Sequence, residues 1–165
     1  MKRELKTKEK IDVLLKVAKK LNTSNITWAI GASLLLYIKG ITNEFNDIDI
    51  MVAESDVEKT KQILLSFGEL QPKNPNEKYK TKCFMEFKIN GIDFDIIAGF
   101  VIVKNNTEYY FPLKKNDIKE IICIHNTPLP LQSIEEWLLY YKLMDRIEKV
   151  EIIDKYLGLR QENLE

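Results

Sequence analysis

Two short acidic motifs are the residues in this sequence best suited to chemistry. They are Asp47-Ile48-Asp49 and Asp93-Phe94-Asp95, in which the acidic residues alternate with large apolar ones. Successive side chains of a β-strand point to opposite faces, so the two carboxylates of each motif would project together while the apolar residues enter the core. Like charges this close repel each other unless a cation neutralises them, and hard oxygen ligands favour Mg²⁺ or Mn²⁺.

The spacing alone does not establish such a site. The chain has 25 acidic residues, and its four acid-x-acid pairs are about the number that chance gives for this composition. The other two pairs overlap at Glu54, Asp56 and Glu58, in a polar segment that predicts the start of a helix. The alternative interpretation is that one or both strand-type motifs line the solvent face of a half-exposed sheet.

A third candidate is the turn Gly31-Ala32-Ser33, which follows a predicted buried strand and precedes a predicted helix. Glycine lets the backbone approach a ligand closely, and N–H groups with a hydroxyl at the start of a helix suit a phosphate. The same residues also fit an ordinary turn. The segment is not a Walker A loop, which requires a longer glycine spacing and an adjacent Lys-Ser or Lys-Thr.

A fourth candidate is Lys142, which lies in the apolar stretch 137–144. Its ammonium group either reaches a phosphate or extends to water over its apolar stem.

The apolar periodicity and the turn residues predict the elements that must position these side chains. Helix caps are indicated by Ser55 with Glu58 and by Ser133 with Glu136, and a hairpin by Asn90-Gly91. In chain order the predicted elements are a helix over 7–21, a strand over 26–30, a helix over 34–39, a strand over 48–52, a helix over 55–67, a loop over 71–82, hairpin strands over 83–89 and 92–100, a less definite strand region over 109–124, and helices from about 133 to 157.

This order predicts one α/β (α+β) domain over residues 1–165, with C-terminal helices from about residue 133. The predicted architecture is a mixed, mainly antiparallel sheet with helices packed mostly on one face.

Composition limits the classes of function. The 165 residues are 45% hydrophobic, and 25 basic residues balance 25 acidic ones, so no overall positive field would hold the protein on nucleic acid or an anionic membrane. Two cysteines and one histidine cannot form a four-ligand zinc site of Cys/His type. The apolar stretch over 26–41 is interrupted too often to span a bilayer. We therefore expect a soluble, cytoplasmic protein.

Taken together and in order, these motifs resemble the nucleotidyltransferase superfamily. The similarity is to its small single-domain members, which include lincosamide nucleotidyltransferases and the nucleotidyltransferase-like proteins of abortive-infection and toxin–antitoxin systems. It covers residues 10–157 and departs from the usual Gly-Gly turn at Ala32. The matching segments are 28–33 for the glycine turn, 46–50 for the Asp-x-Asp strand, 95–100 for the third-carboxylate strand and 130–142 for a proline-preceded helix with a lysine.

The resemblance implies a metal-dependent nucleotidyltransferase. Asp47, Asp49 and Asp95 would hold two Mg²⁺ or Mn²⁺ ions, and Asp95 would also orient the acceptor hydroxyl that attacks a nucleoside triphosphate such as ATP, with release of pyrophosphate. Asp93, beside the hairpin turn, is the second choice for the third ligand. The implied nucleotide-binding residues are Gly31, Ser33 and Lys142.

Two other functions fit the same sequence. The first is a weakly active or inactive nucleotidyltransferase fold that binds nucleotide or protein, such as an antitoxin-like partner. The second is an unrelated α/β domain whose acidic motifs are surface residues. The sequence does not identify the acceptor, and it is compatible with a partner protein or a homo-oligomer.

Overall fold

The computed structural model of the chain describes residues 6–73 and 80–164, and the middle of the predicted loop over 71–82 lies outside them. The helices are α1 (Thr7–Thr23), α2 (Ala32–Ile38), α3 (Val57–Leu65), α4 (Ile134–Leu143) and α5 (Ile147–Leu164). The strands are β1 (Trp28–Gly31), β2 (Ile48–Val52), β3 (Glu69–Leu70), β4 (Cys83–Ile89), β5 (Ile92–Ala98), β6 (Phe100–Lys104), β7 (Thr107–Phe111), β8 (Glu120–Ile124) and β9 (Thr127–Leu131).

Within the described residues, seven strands form one sheet in the order β3-β4-β5-β2-β1-β9-β8, and β6 and β7 form a separate hairpin. Most neighbours in the large sheet are antiparallel, and β2 with β5 and β1 with β9 are parallel pairs. Helix α1 packs against β9, and α2 packs against β1 and β2. The predicted α/β class with a mixed, mainly antiparallel sheet is confirmed.

The apolar members of the two acidic motifs enter the core. Ile48, Ile50, Phe94 and Ile96 are fully buried, while the acidic residues between them remain half-buried or exposed. Burying a large aliphatic or aromatic side chain contributes about 1.5–3 kcal/mol, so these strands can lie in the centre of the sheet despite their acidic residues.

Two local structures, a hairpin turn and a helix cap, form as the sequence predicts. Asn90 and Gly91 both have positive φ, 51° and 79°, as a two-residue hairpin turn requires, and they join β4 to β5. The Ser133 hydroxyl accepts a hydrogen bond from the Glu136 N–H, and the Glu136 carboxylate accepts one from the Ser133 N–H, so the predicted capping box starts α4.

The other predicted cap is wrong. A short 3₁₀ turn covers Glu54–Asp56, and α3 then starts at Val57 behind Asp56, which makes no side-chain capping bond. The Asp56 carboxylate instead accepts a hydrogen bond of 2.9 Å from the Thr27 N–H, which ties this turn to the start of β1. A long-range contact thus replaces the local cap.

Two boundaries shift near the candidate site. Helix α2 begins at Ala32, directly after the strand, so Ser33 lies in its first turn rather than in a separate loop. The less definite strand region resolves into β6, β7 and β8, of which β6 starts earlier than predicted, after Gly99 with a φ of 61°. Among the described residues, no helix is long and apolar enough to cross a bilayer.

Candidate functional site

The centre of the candidate site is set by the register of three neighbouring strands. Gly31 at the end of β1 lies opposite Asp49 on β2, and Asp49 lies opposite Asp95 on β5. Residues that face each other across a sheet point to the same side, so the two carboxylates project together. The structure therefore brings together the glycine turn, the Asp-x-Asp motif and the third predicted carboxylate, although Asp49 and Asp95 are 46 positions apart in the sequence.

The Asp49 and Asp95 carboxyl groups lie next to each other on two paired strands. Neighbouring carboxylates repel each other when both are ionised, so each disfavours the charged form of the other. Burial raises the pKa of Asp49 to about 7, with the charge of Asp47 adding to the rise. Burial also raises the pKa of Asp95 to about 8, helped by the charges of Asp49, Asp47 and Glu86. Among the described residues, no basic residue opposes these shifts, so the pair favours the binding of a proton or a cation.

Asp47 lies one residue before β2, and side chains of two helices hold its segment. The Lys10 ammonium of α1 donates to the Phe45 carbonyl at 3.0 Å and to the Asn46 carbonyl at 3.3 Å. The Ser33 hydroxyl of α2 donates to the Asp47 carbonyl at 3.4 Å. Burial and the charge of Asp93 raise the pKa of Asp47, whereas Lys10 and Lys88 oppose the rise.

Asp93 shares a strand with Asp95 but has different surroundings. It lies opposite Lys88 of β4, its carboxylate is 3.4 Å from the Lys88 ammonium, and its side chain is 51% exposed. A surface ion pair of this kind contributes little to stability. Because Asp95 and not Asp93 lies opposite Asp49, the register favours the predicted preference for Asp95.

The turn at Gly31 is closely packed against the start of α4. A Cβ at Gly31 would lie 2.6 Å from both the Gln132 Oε1 and the Trp137 ring, so a side chain does not fit there. The Trp137 indole N–H donates to that same Gln132 oxygen at 2.7 Å. The glycine therefore allows α4 to approach the turn, in addition to any role in binding a ligand.

Ala32 occupies a strained position. Its φ of 52° lies in the left-handed region, which costs an ordinary L-residue roughly 1–2 kcal/mol and glycine almost nothing. This is the position at which the sequence departs from the usual Gly-Gly turn, and the backbone keeps a conformation that suits glycine.

Tyr141 of α4 contributes to the site from outside the sheet. Burial raises the pKa of its hydroxyl to about 12, and the nearby charge of Asp49 adds to the rise. The Arg146 guanidinium lies 5.8 Å from the centre of the Tyr141 ring. Lys142, the next residue, has an exposed side chain, and within the described residues no hydrogen bond or ion pair joins it to the three aspartates.

No sequence motif marks Lys10, Gln132 or Tyr141 as part of the site. Each acts on a residue that is more than 30 positions away along the chain, Phe45, Gly31 and Asp49 respectively. No local spacing rule could reveal these contacts, because they depend on how α1 and α4 pack on the finished sheet.

The chemistry of the donors fits a hard divalent cation, because all are carboxylates and the charges of their neighbours raise the pKa of Asp49 and Asp95. In the part of the chain that the structure describes, however, no group of three or more His, Cys, Asp or Glu side chains is already arranged to hold a metal ion. Asp47, Asp49 and Asp95 would hold it after their side chains rearrange.

The fold matches several solved structures over nearly its whole length. A Thermotoga maritima protein assigned as a nucleotidyltransferase is 24% identical with a TM-score of 0.72, covering 94% of this chain and 97% of that one. ANT(2'')-Ia in complex with adenylyl-2''-tobramycin is 13% identical with a TM-score of 0.62, covering 94% of each chain. The lincomycin-bound lincosamide antibiotic adenylyltransferase LnuA is 16% identical with a TM-score of 0.58, covering 87% of this chain and 95% of that one.

No protein-family model and no curated protein matches the sequence. The structural likeness nevertheless covers 94% of this chain in the first two of these structures. The chain thus has the same fold as these solved structures.

Proposed function

We propose that this protein is a metal-dependent nucleotidyltransferase that moves a nucleoside monophosphate from a triphosphate to an acceptor hydroxyl. The observation that carries the proposal is the register in which Gly31, Asp49 and Asp95 lie side by side on three neighbouring strands. The similar solved structures named for adenylyl transfer to antibiotics favour ATP as the nucleotide.

Asp95 is the residue that we propose accepts the proton of the acceptor hydroxyl. The freed oxygen then forms a bond to the α-phosphorus, the bond from this phosphorus to the bridging oxygen of the β-phosphate breaks, and pyrophosphate leaves. Asp95 lies on the strand next to Asp49, where its carboxylate can take up this proton beside the reacting oxygen.

Asp47, Asp49 and Asp95 would hold the Mg²⁺ or Mn²⁺ ions, two in number by the resemblance. The ions would neutralise the triphosphate and the leaving pyrophosphate. Their positive charge would also favour the ionised form of Asp49 and Asp95.

Gly31 and Ser33 are the proposed contacts of the β and γ phosphates, and Lys142 is a further proposed contact. The Ser33 hydroxyl already donates to the Asp47 carbonyl. A phosphate contact from Ser33 would therefore couple nucleotide binding to the segment that carries Asp47.

The first test is thermal unfolding with ATP alone, Mg²⁺ alone and both together. We expect clear stabilisation only with both, since ligands that bind the native state raise its melting temperature. Asp49→Asn is the matched control and should lose this stabilisation. Stabilisation by nucleotide without a metal requirement would instead favour the binding-module alternative, and no effect would contradict both.

The second test is turnover. ATP and Mg²⁺ are incubated with hydroxyl-bearing compounds that include tobramycin and lincomycin, and each mixture is analysed by mass spectrometry for an adenylylated product and by assay for pyrophosphate. A product with wild-type protein that Asp95→Asn does not form is the expected result. Tight metal-dependent binding of ATP with no product for any acceptor, small or macromolecular, would contradict the transfer reaction.

A further inference from the structure

Lys10 of α1 reaches across to the segment that precedes β2. Its ammonium donates to the carbonyls of Phe45 and Asn46 and lies 5.3 Å from the centre of the Phe45 ring. Phe45 is itself only 4% exposed. The lysine is therefore held by two hydrogen bonds and a cation–π contact to one short segment.

This segment needs such a contact because the sheet does not fix it. Asp49 is held by strand pairing on both sides, to Gly31 and to Asp95, whereas the pairing of β2 begins at Ile48. Asp47 thus stands at the free end of the strand. Placing a carboxylate for metal coordination requires its backbone to be fixed to a fraction of an ångström.

Side chains from α1 and α2 hold the backbone of this segment, which strand pairing does not fix. Lys10 binds the carbonyls of residues 45 and 46, and Ser33 binds the carbonyl of Asp47. Three consecutive carbonyls are therefore anchored, and Lys10 holds two of them. Ser33 makes the longest of the three bonds, at 3.4 Å, which leaves Lys10 as the main anchor.

We propose that Lys10 is a positioning residue for Asp47. It acts through the backbone of residues 45 and 46, without touching nucleotide or acceptor, and it holds the Asp47 carboxylate where a divalent cation can use it. The inference rests on the proposed function, because it assigns Lys10 a part in the same metal site.

Two roles for Lys10 predict opposite effects on metal affinity. If Lys10 were only a nearby positive charge, removing it would strengthen the binding of a cation to the aspartates. If it positions Asp47, removing it weakens that binding, and losing the outer partner of a metal ligand typically costs 10–100-fold in affinity. The direction of the change therefore separates the two roles.

The experiment titrates Mn²⁺ into the full-length protein with saturating α,β-methylene-ATP, which cannot release pyrophosphate, and follows the melting temperature. Lys10→Met removes the charge and both hydrogen bonds but keeps the apolar stem. Lys10→Arg keeps the charge and can donate to both carbonyls. Lys16→Met, an exposed residue of the same helix, is the matched control for the loss of one positive charge.

We expect Lys10→Met to raise the half-saturating Mn²⁺ concentration about tenfold, and Lys10→Arg and Lys16→Met to leave it within twofold of the wild type. An unchanged or lower value for Lys10→Met would overturn the inference, as would a failure of Lys10→Arg to restore the wild-type value. If Lys10→Met does not fold, Lys10→Gln takes its place with the same expected direction. If the wild-type protein shows no joint effect of metal and nucleotide, the proposed function itself fails.

Discussion

Asp93 and Asp95 are chemically identical residues two positions apart, and their surroundings give them different expected roles. Asp95 lies opposite Asp49, and burial with neighbouring carboxylates raises its pKa, whereas Asp93 forms an exposed ion pair with Lys88. A shift of two residues in the strand register would place Asp93 opposite Asp49 instead, so the register decides which carboxylate can take part in catalysis.

We expect Asp95→Asn to lower kcat by at least about 100-fold, which is the usual contribution of a general base. Much of the affinity for nucleotide should remain, because Asp47 and Asp49 are still present. Steady-state kinetics and a nucleotide titration would measure both effects. Asp93→Asn is the control, and a larger loss of kcat for this variant than for Asp95→Asn would refute the assigned register.

The backbone of Ala32 gives a second prediction at this scale. Ala32→Gly relieves a left-handed φ of 52°, so the free energy of unfolding should rise by up to about 1 kcal/mol despite the greater freedom of glycine in the unfolded chain.

Denaturant unfolding would measure this change, with Ala53→Gly as the control. Ala53 has an ordinary φ of −66°, so its replacement by glycine should lower stability. Destabilisation by both substitutions would show that Ala32 is not strained.

At the scale of elements, the strand end at Gly31 and the helix α4 form one packed unit. A Cβ at Gly31 would overlap both Gln132 and Trp137. Overpacking of this kind costs about 1–3 kcal/mol, because one of the two elements must move.

We therefore expect Gly31→Ala to destabilise the protein by about 1–3 kcal/mol, and expect the loss to shrink when Trp137→Leu makes room. A double-mutant cycle by chemical denaturation would give the coupling energy. Gly40→Ala is the control, because open space surrounds Gly40 and only its φ of 77° opposes a side chain. Simple additivity of Gly31→Ala with Trp137→Leu would show that α4 does not constrain the turn.

The sequence predicts elements well where local rules apply. The alternation in β2 and the Asn90-Gly91 turn fix strand bounds, and Ser133 with Glu136 fixes the start of α4. Prediction from the sequence fails where a distant residue forms the contact. The predicted cap of α3 by Ser55 does not form, and the neighbouring Asp56 accepts a hydrogen bond from the Thr27 N–H.

The candidate site shows the same division between local and distant causes. The three aspartates could be named from their alternation with apolar residues and from the family resemblance. The residues that contact this site from other elements could not be predicted, because Lys10, Gln132 and Tyr141 reach it only through the packing of α1 and α4.

At the scale of the whole molecule, the raised pKa values of Asp49 and Asp95 should make stability depend on pH. The folded state raises the pKa of Asp49 to about 7 and of Asp95 to about 8, whereas both groups have ordinary values near 4 when unfolded. Between these values the folded state binds more protons than the unfolded state. The free energy of unfolding therefore falls as the pH rises through this range, by about 1.4 kcal/mol per pH unit for each proton taken up on folding.

We expect metal-free protein to be more stable at pH 5 than at pH 8, as measured by urea unfolding at each pH. Asp49→Asn removes one member of the pair and should flatten this dependence. An equally steep pH dependence of stability in Asp49→Asn would show that other groups cause it. Mg²⁺ with ATP should restore stability at pH 8, because the cation then replaces the proton.

The parallel pairing of β2 with β5 also bears on how the chain folds. The β4–β5 hairpin closes through a two-residue turn and can form early. Long connections join the parallel partners, which are β2 with β5 and β1 with β9. The entropy lost on closing such long loops opposes early contact between these strands. Asp49 and Asp95 meet only when the first of these non-local pairs forms. We therefore expect metal affinity to appear late in refolding, after most hairpin amides are protected from exchange.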